Sequence, residues 1–163
     1  MKNIGKTITR ARLKTVLKDL RQRGKKIVFT NGCFDIIHAG HVRYLKKAKE
    51  LGDVLVVGLN SDSSVKKIKD DGRPIVPQNE RAEVLSALES VDYVSIFSES
   101  TPYNLIKSVQ PDILVKGADW AGHEIVGTDV VKAKGGRVAR IKLVKERSTT
   151  NIIKKILDTY GKR

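Results

Sequence analysis

At 163 residues, 40% of them apolar and only one a cysteine, the chain is long enough to bury a core without disulfides or metals. Cys33 has no partner for an internal disulfide, no N-terminal signal peptide is evident, and no apolar run approaches the ~20 residues of a membrane span. Secreted disulfide scaffolds and membrane-spanning proteins are therefore set aside, and a cytoplasmic protein is expected. The net charge of +14 asks for anionic partners, but the lysines are spread over nearly every segment and aromatics make up 5% of the chain. Solvated helix faces and small anionic substrates explain that charge better than a nucleic-acid or membrane surface.

In chain order, Thr9 to Gln22 sets Leu13, Val16, Leu17 and Leu20 on one stripe, with Thr9 as N-cap and Gly24 beyond the end, which predicts an accessory helix within residues 1–24. Ile27 to Thr30 follows as a strand, Ala39 to Leu51 as a helix stopped by Gly52, and Val54 to Leu59 as a central strand apolar throughout. Asn60 to Pro77 reads as a polar loop, too long for a plain connection and so suspected of function. Gln78 to Ser90 is a predicted helix with Ala82, Leu85 and Leu88 inward, Tyr93 to Phe97 a strand, Pro102 to Val109 a short helix and Ile113 to Lys116 a strand. After the loop Gly117 to His123 come a helix over Glu124 to Lys134, a strand over Val138 to Leu143, and a C-terminal helix from Ser148 with Ile152, Ile153, Ile156 and Leu157 as its buried side. Alternation of this kind predicts one domain over residues 1–163, α/β in class, with a Rossmann-like doubly wound parallel sheet of about five strands. Ligands in such sheets bind outside the carboxyl ends of the strands.

Thr30 to His41, TNGCFDIIHAGH, occupies the first of those ends. A strand that passes through a glycine-bearing turn into a helix aims unpaired N–H groups and the positive end of the helix dipole at anything above the sheet edge. His38 and His41 share one face of the first turn, and Gly40 between them leaves the backbone open. A zinc pair is the rival use of His-x-x-His, but no third ligand stands at helical spacing nearby. Cys33 reads as a small side chain under a phosphate loop or as a thiol nucleophile. Ser148-Thr149-Thr150 opens the last helix with hydroxyls and free N–H groups together, which taken alone is an ordinary N-cap.

The pattern G-x-F-D-x-x-H-x-G-H after the first strand resembles the signature of the cytidylyltransferase-like nucleotidyltransferases, and Ser148-Thr149-Thr150 resembles their second signature. The resemblance implies a single-domain HxGH-type enzyme that moves a nucleotidyl group onto an anionic acceptor with no protein nucleophile. TNGCFDIIHAGH, VGLNSDSSVKKIK, GRPIVP, LVKGADW and STTNIIKKI together are similar to the branch that adenylylates a heptose 1-phosphate. That implies ATP as co-substrate with Mg²⁺, a sugar 1-phosphate as acceptor, and a homodimer or higher homo-oligomer, with no dedicated protein metal site. A glycerol-3-phosphate cytidylyltransferase is the alternative within the family, and an RNA-binding module on the same fold the alternative outside it.

The resemblance places ATP against Thr30, Asn31, Gly32, Cys33, Phe34, His38, Gly40 and His41, against Lys116, Gly117 and Asp119, and against Ser148, Thr149 and Thr150. Catalytic roles fall to His38, His41 and Lys67. The acceptor falls to Lys66, Lys67, Lys69, Arg73, Asp35 and Arg81. Asp35 has a competing use in stabilising the turn, and Arg81 a competing use as partner of Glu80, Glu83 or Asp92. Trp120 is a candidate cover for the base. Many family members carry an arginine several residues before the Ser-Thr-Thr run; here Leu143 aligns with it, while Lys145 and Arg147 lie nearer the run.

Overall fold

The computed structural model describes residues 5–69, 72–118, 125–142 and 148–161. Its elements run α1 (Arg10–Gln22), β1 (Ile27–Gly32), α2 (Ala39–Lys49), β2 (Val54–Asn60), α3 (Asp62–Ile68), α4 (Gln78–Ala87), β3 (Tyr93–Phe97), α5 (Tyr103–Val109), β4 (Ile113–Gly117), α6 (Thr128–Ala133), β5 (Arg137–Ile141) and α7 (Thr149–Tyr160). The strands form one parallel sheet in the order β3-β2-β1-β4-β5.

Alternating side chains send each strand into two cores. On one face Val28, Leu55, Val57 and Val115 pack with Tyr44, Leu45 and Ala48 of α2 and Ala82 and Leu85 of α4. On the other, Ile27, Phe29, Val54 and Val56 pack with Leu13 and Leu17 of α1, Leu105 and Ile106 of α5 and Val131 of α6. Helices on both faces explain why all seven residues of β2 are buried.

Strand order reverses between β1 and β4. Their ladder pairs Val28 with Ile113 and Phe29 with Leu114 and stops there. Past that point both strands continue unpaired with one another, which opens a crevice at their carboxyl ends.

Three expectations need correction. The polar stretch from Asn60 to Pro77 contains a helix, α3: Ser61 caps it by accepting the Ser64 N–H at 3.2 Å, and Ser64 and Val65 are its buried side. Helical periodicity is weak there because the burial is carried by a serine, whose hydroxyl is held by Asn60 Nδ2 at 2.9 Å and donates to the Glu99 carbonyl at 2.8 Å. In α7 none of the expected apolar side is fully buried; Ile156 is 49% and Leu157 60% exposed. The helix over Glu124 to Lys134 is shorter than expected. It begins after Gly127, whose φ of 90° favours glycine and where a Cβ would stand 2.7 Å from Ile106.

Candidate nucleotide site

A cavity of about 570 Å³ occupies the crevice. The turn Asn31 to Asp35, the first turns of α2 and α7, Lys69, Arg73, and Lys116 with Gly117 form its walls. Lys116, next to last in β4, is 8% exposed and donates through Nζ to Asn31 Oδ1, next to last in β1, so one bond ties the two strands at the switch point. Burial lowers the Lys116 ammonium to about 8, which leaves it mostly charged at neutral pH and exposed to any further change in local potential.

The turn itself is tightly determined. Phe34 has a φ of 45°, rare for a residue with a side chain, and is buried to 6% exposure. Its ring lies over Gly32, where a Cβ would come within 3.0 Å of it, and meets the His41 ring edge-on at 5.2 Å. Gly32 thus allows the close approach of the Phe34 ring, which in turn borders His41.

His38 is the N-cap of α2: its Nδ1 accepts the Gly40 N–H at 3.1 Å, so a neutral ring carries its proton on Nε2. His38 and His41 stack at 3.9 Å between centroids. Burial, and then the neighbouring His38, push the His41 imidazole down to about 4, against a smaller opposing pull from the Ile36 carbonyl. At neutral pH His41 is an uncharged hydrogen-bonding group beside the helix N-terminus. An arriving triphosphate would reverse the sign of its surroundings.

Ser148 caps α7 by accepting the Asn151 N–H at 3.1 Å, and Thr149 Oγ1 reaches the Ile36 carbonyl at 3.4 Å. The two helix beginnings thus share a wall. Cys33 also lines the cavity; burial raises its thiol pKa, which keeps it protonated and disfavours the nucleophile reading.

Several sequence candidates sit elsewhere than expected. Thr30 is fully buried, and its hydroxyl pairs with Tyr44 at 2.8 Å, beneath the cavity wall. Lys66 and Lys67 lie exposed on α3 and outside the cavity, because Ser64 and Val65 turn the opposite face inward; Lys69 and Arg73 do line it. Asp35 is 3% exposed with both oxygens engaged: it accepts the Ile75 and Val76 N–H groups at 2.9 and 2.8 Å and Arg73 Nε at 2.5 Å. Burial works to raise its pKa, yet those donors outweigh it and the net shift is downward. Its structure is that of a clamp on the 73–76 segment, with three donors already on its two oxygens.

Arg81 departs furthest from expectation. It is 1% exposed and spends its guanidinium on Val76, Cys33 and Asn60 carbonyls at 2.8, 2.5 and 2.9 Å and on Asp62 at 2.7 Å. It holds the turn, the end of β2 and the start of α3 together. Asp119 and Trp120 lie outside the described residues, as do Leu143, Lys145 and Arg147. Tyr44, Asn60, Ile68, Ser100 to Pro102, Ile125 and Val126 line the cavity without having been singled out in the sequence; only proximity in the fold identifies them.

The model of the cytidylyltransferase-like family matches residues 29–155, which runs from β1 into α7. The bifunctional protein HldE of Nitratiruptor sp. is 60% identical over 144 residues, 88% of this chain and 30% of its own length. The bifunctional protein HldE of Syntrophotalea carbinolica is 55% identical over 151 residues, 93% of this chain and 31% of its own. The chain thus spans about a third of the length of these curated relatives. A crystal structure of the lipopolysaccharide core biosynthesis protein from Thermoplasma volcanium GSS1 is 32% identical, with a TM-score of 0.63, and the match covers 76% of this chain and 100% of that one. With both helix beginnings and the paired histidines inside the matched region, the chain belongs to the cytidylyltransferase-like family of nucleotidyltransferases.

Proposed function

We propose that the protein transfers AMP from ATP to D-glycero-β-D-manno-heptose 1-phosphate, releasing pyrophosphate and forming ADP-heptose for lipopolysaccharide core or S-layer glycan precursors. The observation that carries this is the enclosure of one cavity by His38, His41, Lys116 and the Ser148 to Thr150 helix start. The choice of sugar is supported by the resemblance of LVKGADW, GRPIVP and STTNIIKKI to heptose 1-phosphate adenylyltransferases, and the place in lipopolysaccharide core synthesis by the Thermoplasma volcanium neighbour.

In this reaction an oxygen of the acceptor phosphate attacks the α-phosphorus, and the bond to the bridging oxygen breaks with its electron pair leaving on pyrophosphate. The acceptor is already anionic, so the protein's share is alignment and stabilisation of charge on the transferring group. His41 and His38, with the free N–H groups of α2, face the α- and β-phosphates. Ser148 to Thr150 take the terminal phosphates, Lys116 adds positive charge from the floor, and Lys69 and Arg73 receive the acceptor phosphate. Asp35 and Arg81 fix the frame from which those groups project.

Mg²⁺ is implied by the family chemistry. Among the described residues no group of three or more His, Cys, Asp or Glu stands together, and both Asp35 oxygens are occupied. These residues do not form a site for the ion, so any Mg²⁺ would be held by phosphate oxygens and water, and no step is assigned to it. No described helix is long and apolar enough to cross a membrane. The exposed apolar stripe of α7 supports a homodimer or higher homo-oligomer.

The deciding experiment incubates the protein with ATP or CTP and a panel of sugar and polyol phosphates and measures pyrophosphate release. Turnover confined to ATP with heptose 1-phosphate is expected. Turnover with CTP and glycerol 3-phosphate would overturn the assignment within the family, and no release with any pair would overturn it altogether.

A further inference from the structure

A second, smaller cavity of about 270 Å³ adjoins the first, sharing Gly40 and Tyr44 with it, and is otherwise lined by Arg43, Lys46, Lys47, Glu50 and Lys142. Four cations therefore face one carboxylate in a concave space against the same helix, α2, whose first turn borders the nucleotide cavity.

Several other described surface cations are each paired with a carboxylate. Arg10 pairs with Glu99, Arg23 with Asp19, Lys49 with Asp92 and Lys134 with Asp112, at 2.5 to 3.1 Å. Among the described residues no ion pair includes Arg43, Lys46, Lys47 or Lys142, even though Glu50 lies four residues after Lys46 on the same helix. Four clustered like charges facing a single carboxylate carry an electrostatic cost, which an anion of several charges relieves.

We propose that this groove is an anion subsite that takes up inorganic pyrophosphate as it leaves the nucleotide cavity. The assignment rests on the proposed nucleotidyl transfer for the source of the anion, though not for the binding itself. The groove has the sign and concavity for a small polyanion. Its position beside Gly40, where no side chain intervenes, puts it next to the helix turn that faces the α- and β-phosphates in the proposed reaction. Its cations are exposed, so the attraction is screened by salt and acts on capture and release more than on the bond-breaking step.

The test is calorimetric titration of the full chain with inorganic pyrophosphate at low and at physiological salt. The double variant Arg43→Gln/Lys47→Gln is compared with wild type and with Lys18→Gln/Lys107→Gln, which removes the same charge from a separate groove between α1 and α5. Pyrophosphate affinity is expected to fall about three- to tenfold in the first variant and less than twofold in the second, from the modest worth of exposed charges. ATP affinity should change less than twofold in both. Unchanged pyrophosphate binding in Arg43→Gln/Lys47→Gln overturns the subsite, as does an equal loss in both variants, which would mark a net-charge effect. Failure of the transferase assignment reads out separately, as absence of pyrophosphate release from ATP with every acceptor.

Discussion

Arg81 donates to the main-chain oxygen of Cys33 at 2.5 Å, so a residue of α4 holds the turn that carries the nucleotide signature. The same guanidinium reaches Val76 and Asn60, and Asp35 grips Arg73, Ile75 and Val76 from the other side. The nucleotide turn and the segment bearing Lys69 and Arg73 are thereby fixed relative to each other by groups that need not touch substrate.

Arg81→Lys keeps the charge but supplies one flexible ammonium where a planar fork made four contacts. A folded protein with a lower Tm is expected, with kcat reduced about 10- to 100-fold and the KM for the acceptor raised more than that for ATP. Asp62→Asn, at a partner whose side chain is 37% exposed, should reproduce a weaker form of the split without serious loss of stability. Wild-type kcat/KM in Arg81→Lys would remove the positioning role.

His41→Ala should lower kcat by about 10²- to 10³-fold, the usual scale for loss of one preorganised donor at a transition state. Its proton linkage gives an independent reading. The folded value of about 4 lies below the ordinary 6.5, so between those pH values the unfolded chain binds a proton that the folded chain does not. The contribution of this group to stability is complete above pH 6.5 and is lost as pH falls toward 4. Denaturant unfolding at pH 5 and pH 7.5 should show a smaller pH difference in His41→Gln than in wild type; equal differences would mean that His41 titrates normally.

Lys69→Ala is expected to raise the acceptor KM several-fold, from loss of a charge that lines the cavity, while Lys67→Ala changes it less than twofold. Steady-state kinetics with the acceptor varied at saturating ATP distinguishes them. The reverse order would return the acceptor phosphate to the exposed face of α3.

Leu157→Glu puts a charge into the exposed stripe of α7, where Leu157 is 60% exposed. If that stripe joins two copies, the variant should sediment at half the mass of wild type with its thermal stability nearly unchanged at low concentration. A wild-type monomer, or a variant of unaltered mass, would separate the stripe from self-association.

Much of this architecture was legible because it is written in apolar runs. Val54 to Leu59 announces a strand covered on both faces, and the spacing of Leu13, Val16, Leu17 and Leu20 announces α1. The signature from Thr30 to His41 pointed to the candidate site because its residue types have few joint uses. What stayed hidden was carried by polar groups whose partners are remote in sequence. Asp35 and Arg81 looked like ligand-facing charges, since nothing in the local pattern shows that Val76 and Asn60 would meet them. The α3 helix was lost for a related reason: a buried serine takes the place of an apolar residue. The α7 stripe misled in the other direction, because an amphipathic pattern states that a face seeks cover without stating what covers it.

The pairing of β1 with β4 has a consequence for how this site comes into being. The Ile27 N–H is held by the Asp112 carboxylate at 2.7 Å, across 85 positions of the chain, and Lys116 meets Asn31 across the same interval. A nascent polypeptide that has emerged only as far as β3 owns the complete histidine signature but lacks the opposite lip of the crevice. Ligand affinity should therefore appear late during synthesis, and fragments ending before β4 should be unable to retain nucleotide however well their first three strands assemble.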